Sequence, residues 1–144
     1  MNNQLRMELR HAGFTLVEIM LVVIIIAALS AMVVPRLVGR SDQAKVKVAQ
    51  TDIDAHLKTA LKLYELDNGA FPTTSQGLMA LKSKPTTSPV PSNWAGPYIE
   101  KDPVDPWGNL YLYAYPGKKA TDYDLYSKGK DPVSTDDDIT NWGQ

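Results

Sequence analysis

An uninterrupted apolar segment, residues 14–34, places the strongest constraint on how this chain can fold. It reads FTLVEIMLVVIIIAALSAMVV, and Glu18 is its only charged residue. As an α-helix the segment would extend roughly 32 Å, about the thickness of the hydrocarbon core of a bilayer. Apolar side chains surround the whole circumference, so the helix has no polar face to present to water. A helix buried in a soluble core would normally carry a polar stripe, and the segment therefore predicts a membrane-spanning helix.

A cleaved secretory signal peptide is the second interpretation of this segment. Arg6 and Arg10 supply the basic residues that would precede such a signal. However, the apolar run is too long for one, and Pro35 and Arg36 follow it without a small-residue cleavage motif. Basic residues lie on both sides of the run, so charge counting does not set its orientation. The pattern favours an anchor over a signal peptide.

Glu18 is the residue that a plain anchor does not explain. A carboxylate inside a membrane span is costly and normally has a partner. Without one, Glu18 would be protonated or would reach towards the lipid headgroups. If the chain began at Phe14, the side chain would lie five positions in and could neutralise the amine of a neighbouring subunit.

The residues around this position resemble the class III signal of type IV pilins and pseudopilins. Gly13, Phe14 and Glu18 belong to the sequence GFTLVE, which follows a short basic leader and opens the apolar run. The resemblance implies that a prepilin peptidase removes residues 1–13 between Gly13 and Phe14, and that Phe14 is then N-methylated. It also implies that Glu18 aligns an incoming subunit. One departure is Ala27, where many relatives carry a glycine that lets the helix unwind.

A second helical pattern follows Pro35, which we expect to kink the helix or to end one of its hydrogen-bonded turns. This pattern predicts an amphipathic helix packed on a globular domain, running to about Leu66, with the sequence Asp67-Asn68-Gly69 as its stop. Its apolar residues recur at steps of three and four: Val46, Ala49, Ile53, Leu57, Ala60, Leu61 and Tyr64.

The C-terminal residues predict a small antiparallel sheet connected by long loops. Alternating large and aromatic residues at 110–115 and 123–127 are typical of strands, and residues 105–109 form a turn signature. The other predicted features are a short helical piece at 76–82, a loop rich in Pro and Ser at 84–97, and a short extended piece at Tyr98-Ile99. The fold class is therefore α+β and pilin-like, with a membrane helix at 14–35 and a C-terminal domain at 36–144.

Several function classes are excluded by composition. The chain has no cysteine, so it has neither a disulfide framework nor a catalytic thiol. A net charge of -1 gives no basic field for nucleic acid. His56 is the only histidine after the predicted leader, and no Ser/His/Asp set can be placed around it. The sequence therefore predicts that the protein is not an enzyme.

An acidic loop near the C-terminus is the one cluster of candidate ligands. Asp131, Asp136, Asp137 and Asp138 place four carboxylates within eight residues. A solvated acidic loop is one interpretation. The other is a calcium site, because calcium takes oxygen ligands and would neutralise carboxylates that otherwise repel one another. The spacing is not that of an EF-hand.

Motifs spread along the whole chain are similar to those of the major pseudopilins of the type II secretion system. They are FPTT at 71–74, QGL at 76–78, DPWGN at 105–109, DLYS at 124–127 and DDITNW at 137–142. The resemblance implies one calcium ion in a loop at 128–138. Its ligands would be the side chains of Asp131, Asp137 and Asp138 and the carbonyls of Lys128 and Thr135. The loop departs from the family pattern in that Lys128 replaces an apolar residue, Pro132 replaces a glycine, and its length is slightly reduced.

This resemblance implies a structural subunit that is held in the bacterial inner membrane, with its C-terminal domain in the periplasm. Copies of the subunit would polymerise into a periplasmic fibre that drives export of folded proteins across the outer membrane. The implied partners are further copies of the chain, minor pseudopilins, the inner-membrane assembly platform, the prepilin peptidase and, before assembly, membrane lipid. The alternatives are a type IV pilus subunit, which usually has a C-terminal disulfide, a minor pseudopilin, and a membrane-anchored binding domain or enzyme.

Overall fold

The computed structural model describes residues 13–143, apart from the side chains of residues 34–38. The chain divides into two units at the boundary between Gly39 and Arg40. The first helix, α1, is Leu16–Thr51. Its first turn is capped because the Thr15 hydroxyl accepts a hydrogen bond of 3.2 Å from the backbone N–H of Glu18.

The apolar part of α1 has the properties expected of a membrane span. The stretch Leu16–Val33 is long and apolar enough to cross a bilayer, and none of it is buried. The helical backbone continues without a break from Ala27 through Pro35, so the helix neither unwinds in this stretch nor ends at the proline.

In the second unit, α1 is followed by a π-helical turn, Asp52–Leu57, and then by helix α2, Lys58–Asn68. A π-helical turn accommodates one more residue than an α-helical turn. Residues spaced by four therefore stay on one face of the helix, whereas in a regular α-helix they would gradually rotate away from that face. The predicted apolar face is confirmed from Ala49 onwards: Ala49, Ile53, Leu57, Ala60, Leu61 and Tyr64 are all buried. Val46 is the exception, since its side chain is exposed and the core begins one turn later.

Helix α2 ends at the predicted stop signal, two residues beyond Leu66. Gly69 adopts a left-handed conformation with φ of 79°, and its N–H donates to the Glu65 carbonyl at 2.7 Å. The Asn68 side chain donates to the Tyr64 carbonyl at 2.9 Å. Glycine reaches positive φ without steric cost, which is why it commonly follows a helix.

The connection between α2 and the sheet is long but tied to the core. The predicted helical piece is a shorter 3₁₀ turn, Leu78–Leu81. The Gln76 amide donates to the carbonyls of Thr87 and Pro89, both at 2.8 Å. The Trp94 indole donates to the Ala80 carbonyl at 2.9 Å. These bonds satisfy carbonyl groups that an irregular segment would otherwise leave to water.

The expected extended piece at Tyr98-Ile99 does not form a strand. Both backbone N–H groups donate to one carbonyl, that of Leu81, and a strand ladder needs a different partner for each.

The sheet has three antiparallel strands in the order β1, β2, β3. The strands are Leu112–Ala114, Asp124–Ser127 and Ile139–Thr140. Tyr126 lies in the centre, opposite Leu112 on one side and Thr140 on the other. The first two strands confirm the predicted pair, whereas the third was not predicted from the sequence. Leu110 lies outside β1 and makes an isolated bridge with Val104.

The core lies between the helices of the second unit and this sheet. Leu125 from β2 and Ile139 from β3 are buried in the same cluster as Ile53 and Leu61. The Tyr111 hydroxyl donates to the Asp52 carboxylate at 2.9 Å, which joins the strand region to the π-helical turn. Burial raises the pKa of the Tyr111 hydroxyl, and the bond to Asp52 raises it further, so this tyrosine stays a neutral donor. The structure thus confirms the α+β architecture.

Candidate assembly and cation sites

The predicted processing site lies directly before α1. Gly13 and Phe14 are exposed and non-helical, and Glu18 is exposed in the first turn. The peptide bond between Gly13 and Phe14 is therefore outside the helix and accessible to a peptidase. Residues 1–12 of the predicted leader lie outside the described residues.

The entrance to the acidic loop is fixed by a buried carboxylate. Asp105 accepts hydrogen bonds from the backbone N–H groups of Trp107 at 3.0 Å and Asn109 at 2.9 Å, which closes the predicted turn. Its second oxygen accepts from the Ser127 hydroxyl at 2.6 Å. That hydroxyl in turn accepts from the N–H of Gly129 at 3.0 Å. The end of β2 and the start of the loop are thereby held by one continuous chain of buried polar contacts.

Asp137 organises the loop itself. One of its carboxylate oxygens accepts from the backbone N–H groups of Lys130 at 2.9 Å and Asp131 at 3.0 Å. Its other oxygen, Oδ1, is buried and receives no hydrogen bond from any group in the described part of the chain, residues 13–143. A buried carboxylate oxygen without a donor is costly, and a cation is one group that would satisfy it.

The other predicted ligands lie in the same loop as Asp137. Asp131 accepts a hydrogen bond of 3.0 Å from the backbone N–H of Val133, within its own turn. The Lys128 side chain donates to the Pro132 carbonyl at 3.1 Å. Thr135 and Asp138 line an open cleft of about 490 Å³ on this side of the molecule. Within residues 13–143, no three acidic or histidine side chains lie close enough together to hold a metal ion.

Two residues of this region were not predicted from the sequence. Lys130 reaches out of the loop, and its ammonium group donates to Asp42 of α1 at 2.6 Å. An ion pair between residues 88 positions apart leaves no local signature in a single sequence. Gly129 has φ of +66°, and a Cβ there would collide with the Asp137 carbonyl oxygen. A glycine next to an acidic run was the available signal for it.

A second buried carboxylate stabilises the turn before β2. Asp124 accepts hydrogen bonds from the backbone N–H groups of Lys118, Lys119 and Ala120, at 2.8–3.0 Å for the shortest bond from each. Burial alone would raise the pKa of Asp124. The three backbone hydrogen bonds outweigh that effect and hold the pKa below its usual value. The Asp124 carboxylate is therefore charged, its oxygens are hydrogen-bonded, and it stabilises the turn.

Asn141 continues the sheet beyond β3. Its side-chain oxygen accepts from the N–H of Leu125 at 2.9 Å, and its amide donates to the Tyr123 carbonyl at 2.8 Å. Its own N–H donates to the Leu125 carbonyl at 3.0 Å. One side chain thus replaces strand pairing where the chain turns away.

A long apolar helix with a glutamate in its capped first turn, a second helical segment on a three-stranded sheet, and a C-terminal acidic loop together define a pilin-like protein. Comparison with known proteins agrees with this class. Residues 36–142 match the family model described as "Type II secretion system (T2SS), protein G". Residues 9–34 match the model described as "Prokaryotic N-terminal methylation motif".

Curated relatives and a solved structure extend the match over most of the chain. A "Type II secretion system core protein G" from Pseudomonas aeruginosa is 52% identical over 138 residues, covering 92% of this chain and 96% of the relative. Its counterpart from Escherichia coli K12 is 47% identical over 136 residues, covering 93% and 92%. The crystal structure of the major pseudopilin from the type 2 secretion system of enterohaemorrhagic Escherichia coli has a TM-score of 0.66 and 44% identity. It covers 74% of this chain and 89% of that one.

The chain belongs to the protein G family of the type II secretion system, the family of the major pseudopilin. It is therefore a structural subunit of the pseudopilus and not an enzyme. Its N-terminal residues carry the family's methylation motif, followed by an apolar helix of membrane-spanning length.

Proposed function

We propose that the mature chain is the repeating subunit of a periplasmic fibre that pushes folded proteins through the outer membrane, and that it waits in the inner membrane until assembly. The observation that carries this proposal is the first part of α1, which is apolar on every side and unburied. Such a helix is stable only in lipid or against other apolar helices. A fibre core provides the second environment.

During assembly, the contacts of α1 with lipid would be replaced by helix–helix packing. Glu18 would set the register in which the incoming helix packs in the fibre. A charged carboxylate moved into an apolar fibre core must be paired, because an uncompensated buried charge is strongly destabilising. We propose the N-terminal amine of a neighbouring subunit as its partner, after the prepilin peptidase has cut between Gly13 and Phe14 and Phe14 has been methylated. Minor pseudopilins and the inner-membrane assembly platform would be the further partners.

Replacing Glu18 with the nearly isosteric glutamine tests this role. Glu18→Gln removes the charge but leaves the apolar helix and its insertion into the membrane intact. We expect normal processing and membrane content, with the fraction of chain in sedimentable fibres and the export of a folded passenger both falling at least tenfold, which corresponds to about 1.4 kcal/mol. Glu100→Gln, at an exposed position of the globular unit, is the charge-matched control. Normal fibre yield in Glu18→Gln would refute the assembly role.

The same proposal includes one calcium ion in the acidic loop. Side-chain oxygens of Asp131, Asp137 and Asp138, with the carbonyls of Lys128 and Thr135, would hold it. The support is the chemistry of the donors, which are all oxygen, and the buried Asp137 Oδ1 that receives no hydrogen bond. When bound, the cation would neutralise the repulsion between neighbouring carboxylates and so stabilise the folded loop.

Calorimetric titration and thermal unfolding test the cation site. A ligand present at 100 times its dissociation constant stabilises the folded state by about 2.7 kcal/mol, so added calcium should raise the melting temperature and chelation should lower it. Asp137→Ala should abolish both the binding heat and the shift. Asp102→Ala removes an exposed acid elsewhere and should preserve them. A melting temperature that does not respond to calcium would identify the loop as merely solvated.

A further inference from the structure

A long-range ion pair connects the acidic loop to the first helix. The ammonium group of Lys130 donates to the carboxylate of Asp42 at 2.6 Å. Asp42 lies on α1 near the start of the second unit, in the helical stretch that follows the apolar segment. The contact therefore joins the C-terminal end of the domain to the part of the helix that leads out of the predicted membrane span.

This helical stretch has little else to hold it in place. No side chain from Arg40 to Val48 is buried, and the core begins only at Ala49. Helical segments with few buried apolar contacts open locally at low free-energy cost. A single tertiary contact at Asp42 can therefore change the opening of this stretch measurably, although an exposed ion pair contributes little to global stability.

The position of Lys130 is set by Asp137. The backbone N–H groups of Lys130 and Asp131 both donate to the same carboxylate oxygen of Asp137. Gly129 has positive φ and packs so closely on Asp137 that a Cβ there would collide with it. With its backbone fixed in this way, Lys130 loses less conformational freedom when its side chain meets Asp42.

Lys128, two residues earlier, behaves differently. Its ammonium group donates to the Pro132 carbonyl at 3.1 Å and so stays within the loop. The two lysines carry the same charge and have exposed side chains, but only one of them is bonded to the helix. This difference provides a matched control within the same loop.

We propose that Lys130 and Asp42 form a clasp through which the order of the acidic loop controls the local stability of α1 between Arg40 and Val48. When the loop is closed on Asp137, the Lys130 ammonium group is positioned to donate to the Asp42 carboxylate. When the loop opens, the clasp is lost and the helical stretch opens more often. The clasp itself does not depend on a bound cation. Its response to calcium rests on the proposed calcium function, because an ion bound at Asp137 would favour the closed loop.

Hydrogen exchange of the processed full-length chain in detergent micelles, followed by mass spectrometry, tests the clasp without added cation. Lys130→Ala should speed exchange in peptides covering residues 42–48 about two- to fivefold, the range that an exposed ion pair supports. Lys128→Ala should leave these peptides unchanged. The exchange of Leu125 and its neighbours in β2 reports whether each variant remains folded. The charge-swapped double variant with Asp42→Lys and Lys130→Asp should restore protection.

Asp137→Asn should speed exchange at 42–48 by the same factor as Lys130→Ala, and the two changes together should give no further increase. Unchanged exchange at 42–48 in Lys130→Ala, or fully additive effects of the two substitutions, would overturn the clasp.

A second arm separates the clasp from the calcium site. Calcium should slow exchange both in the loop and at residues 42–48 of the unchanged chain, but only in the loop of Lys130→Ala. If calcium protects the loop and leaves residues 42–48 unaffected in the unchanged chain, the coupling is wrong while the cation site stands. If calorimetry detects no calcium binding, the calcium site is wrong, and the cation-free comparisons still decide the clasp.

Discussion

Asp105 provides the sharpest test of how the globular unit is held together. Its carboxylate accepts hydrogen bonds from Trp107 and Asn109 through one oxygen and from the Ser127 hydroxyl through the other. Replacing it with asparagine preserves size and one acceptor oxygen. The new amide would face the Ser127 hydroxyl, whose proton would then have no acceptor. The change therefore breaks one link of a buried network and leaves the shape intact.

The expected cost of Asp105→Asn follows from the charge and burial of that link. Hydrogen bonds to charged groups contribute about 1.5–3 kcal/mol, and leaving a buried donor unsatisfied costs about 1–3 kcal/mol. Asp105 is 4% exposed and Ser127 is fully buried, so solvent cannot replace the lost partner. We expect destabilisation of about 2 kcal/mol, or a fall in melting temperature of roughly 8–16 °C for a domain of this size.

Thermal unfolding of the processed chain, followed by near-ultraviolet circular dichroism, measures this cost. Asp102→Asn is the control, because it removes the same charge from an exposed pair with Lys82 and should cost less than about 1 kcal/mol. Ser127→Ala and the double variant complete a cycle, and the double variant should cost less than the sum of the single ones. Equal melting temperatures for Asp105→Asn and Asp102→Asn, or strict additivity in the cycle, would refute the network.

Two further predictions concern the core and the turn before β2. Leu61→Ala should destabilise the domain by about 2–5 kcal/mol, because Leu61 is fully buried, whereas Leu63→Ala on the exposed side of α2 should change stability by less than about 0.5 kcal/mol. For Asp124, backbone hydrogen bonds hold the folded-state pKa below the usual value of about 3.9. The contribution of this carboxylate to the free energy of unfolding is therefore complete above about pH 5 and declines as the pH falls through the folded-state pKa. Asp124→Asn should destabilise the domain at neutral pH and flatten the loss of stability between about pH 5 and pH 2.

Chemical denaturation at several pH values measures both effects. Equal losses from Leu61→Ala and Leu63→Ala would contradict the assigned buried face of the helix. An Asp124→Asn variant whose acid unfolding curve still parallels that of the unchanged chain would show that another carboxylate carries the pH dependence.

Features with a strong local physical signature were predictable from the sequence. The apolar run that became the first part of α1 has only one charge, and its length matches a bilayer. Gly69 ended α2 because a left-handed residue after a helix is best supplied by glycine. The strand pair containing Leu112 and Tyr126 was predicted because alternating large residues over five or six positions distinguish a strand from a loop.

Features that depend on distant contacts were not predictable. A two-residue strand such as Ile139–Thr140 is too short to show alternation, and it exists because it pairs with β2. Val46 fits the helical period of the core, yet it is exposed, since the core does not extend so far along the helix. In the acidic loop, the carboxylates were visible as a cluster. Their individual hydrogen bonds, and the pairing of Lys130 with Asp42, depend on how the folded backbone brings the acidic loop close to α1.

The proposed function requires that this chain is processed as a pseudopilin before it assembles. Intact mass and N-terminal fragmentation of the protein recovered from membranes and fibres test it most directly. We expect a chain that begins at Phe14, with one additional methyl group on its amine. A mature protein that begins at Met1, or that is cut anywhere other than between Gly13 and Phe14, would contradict it.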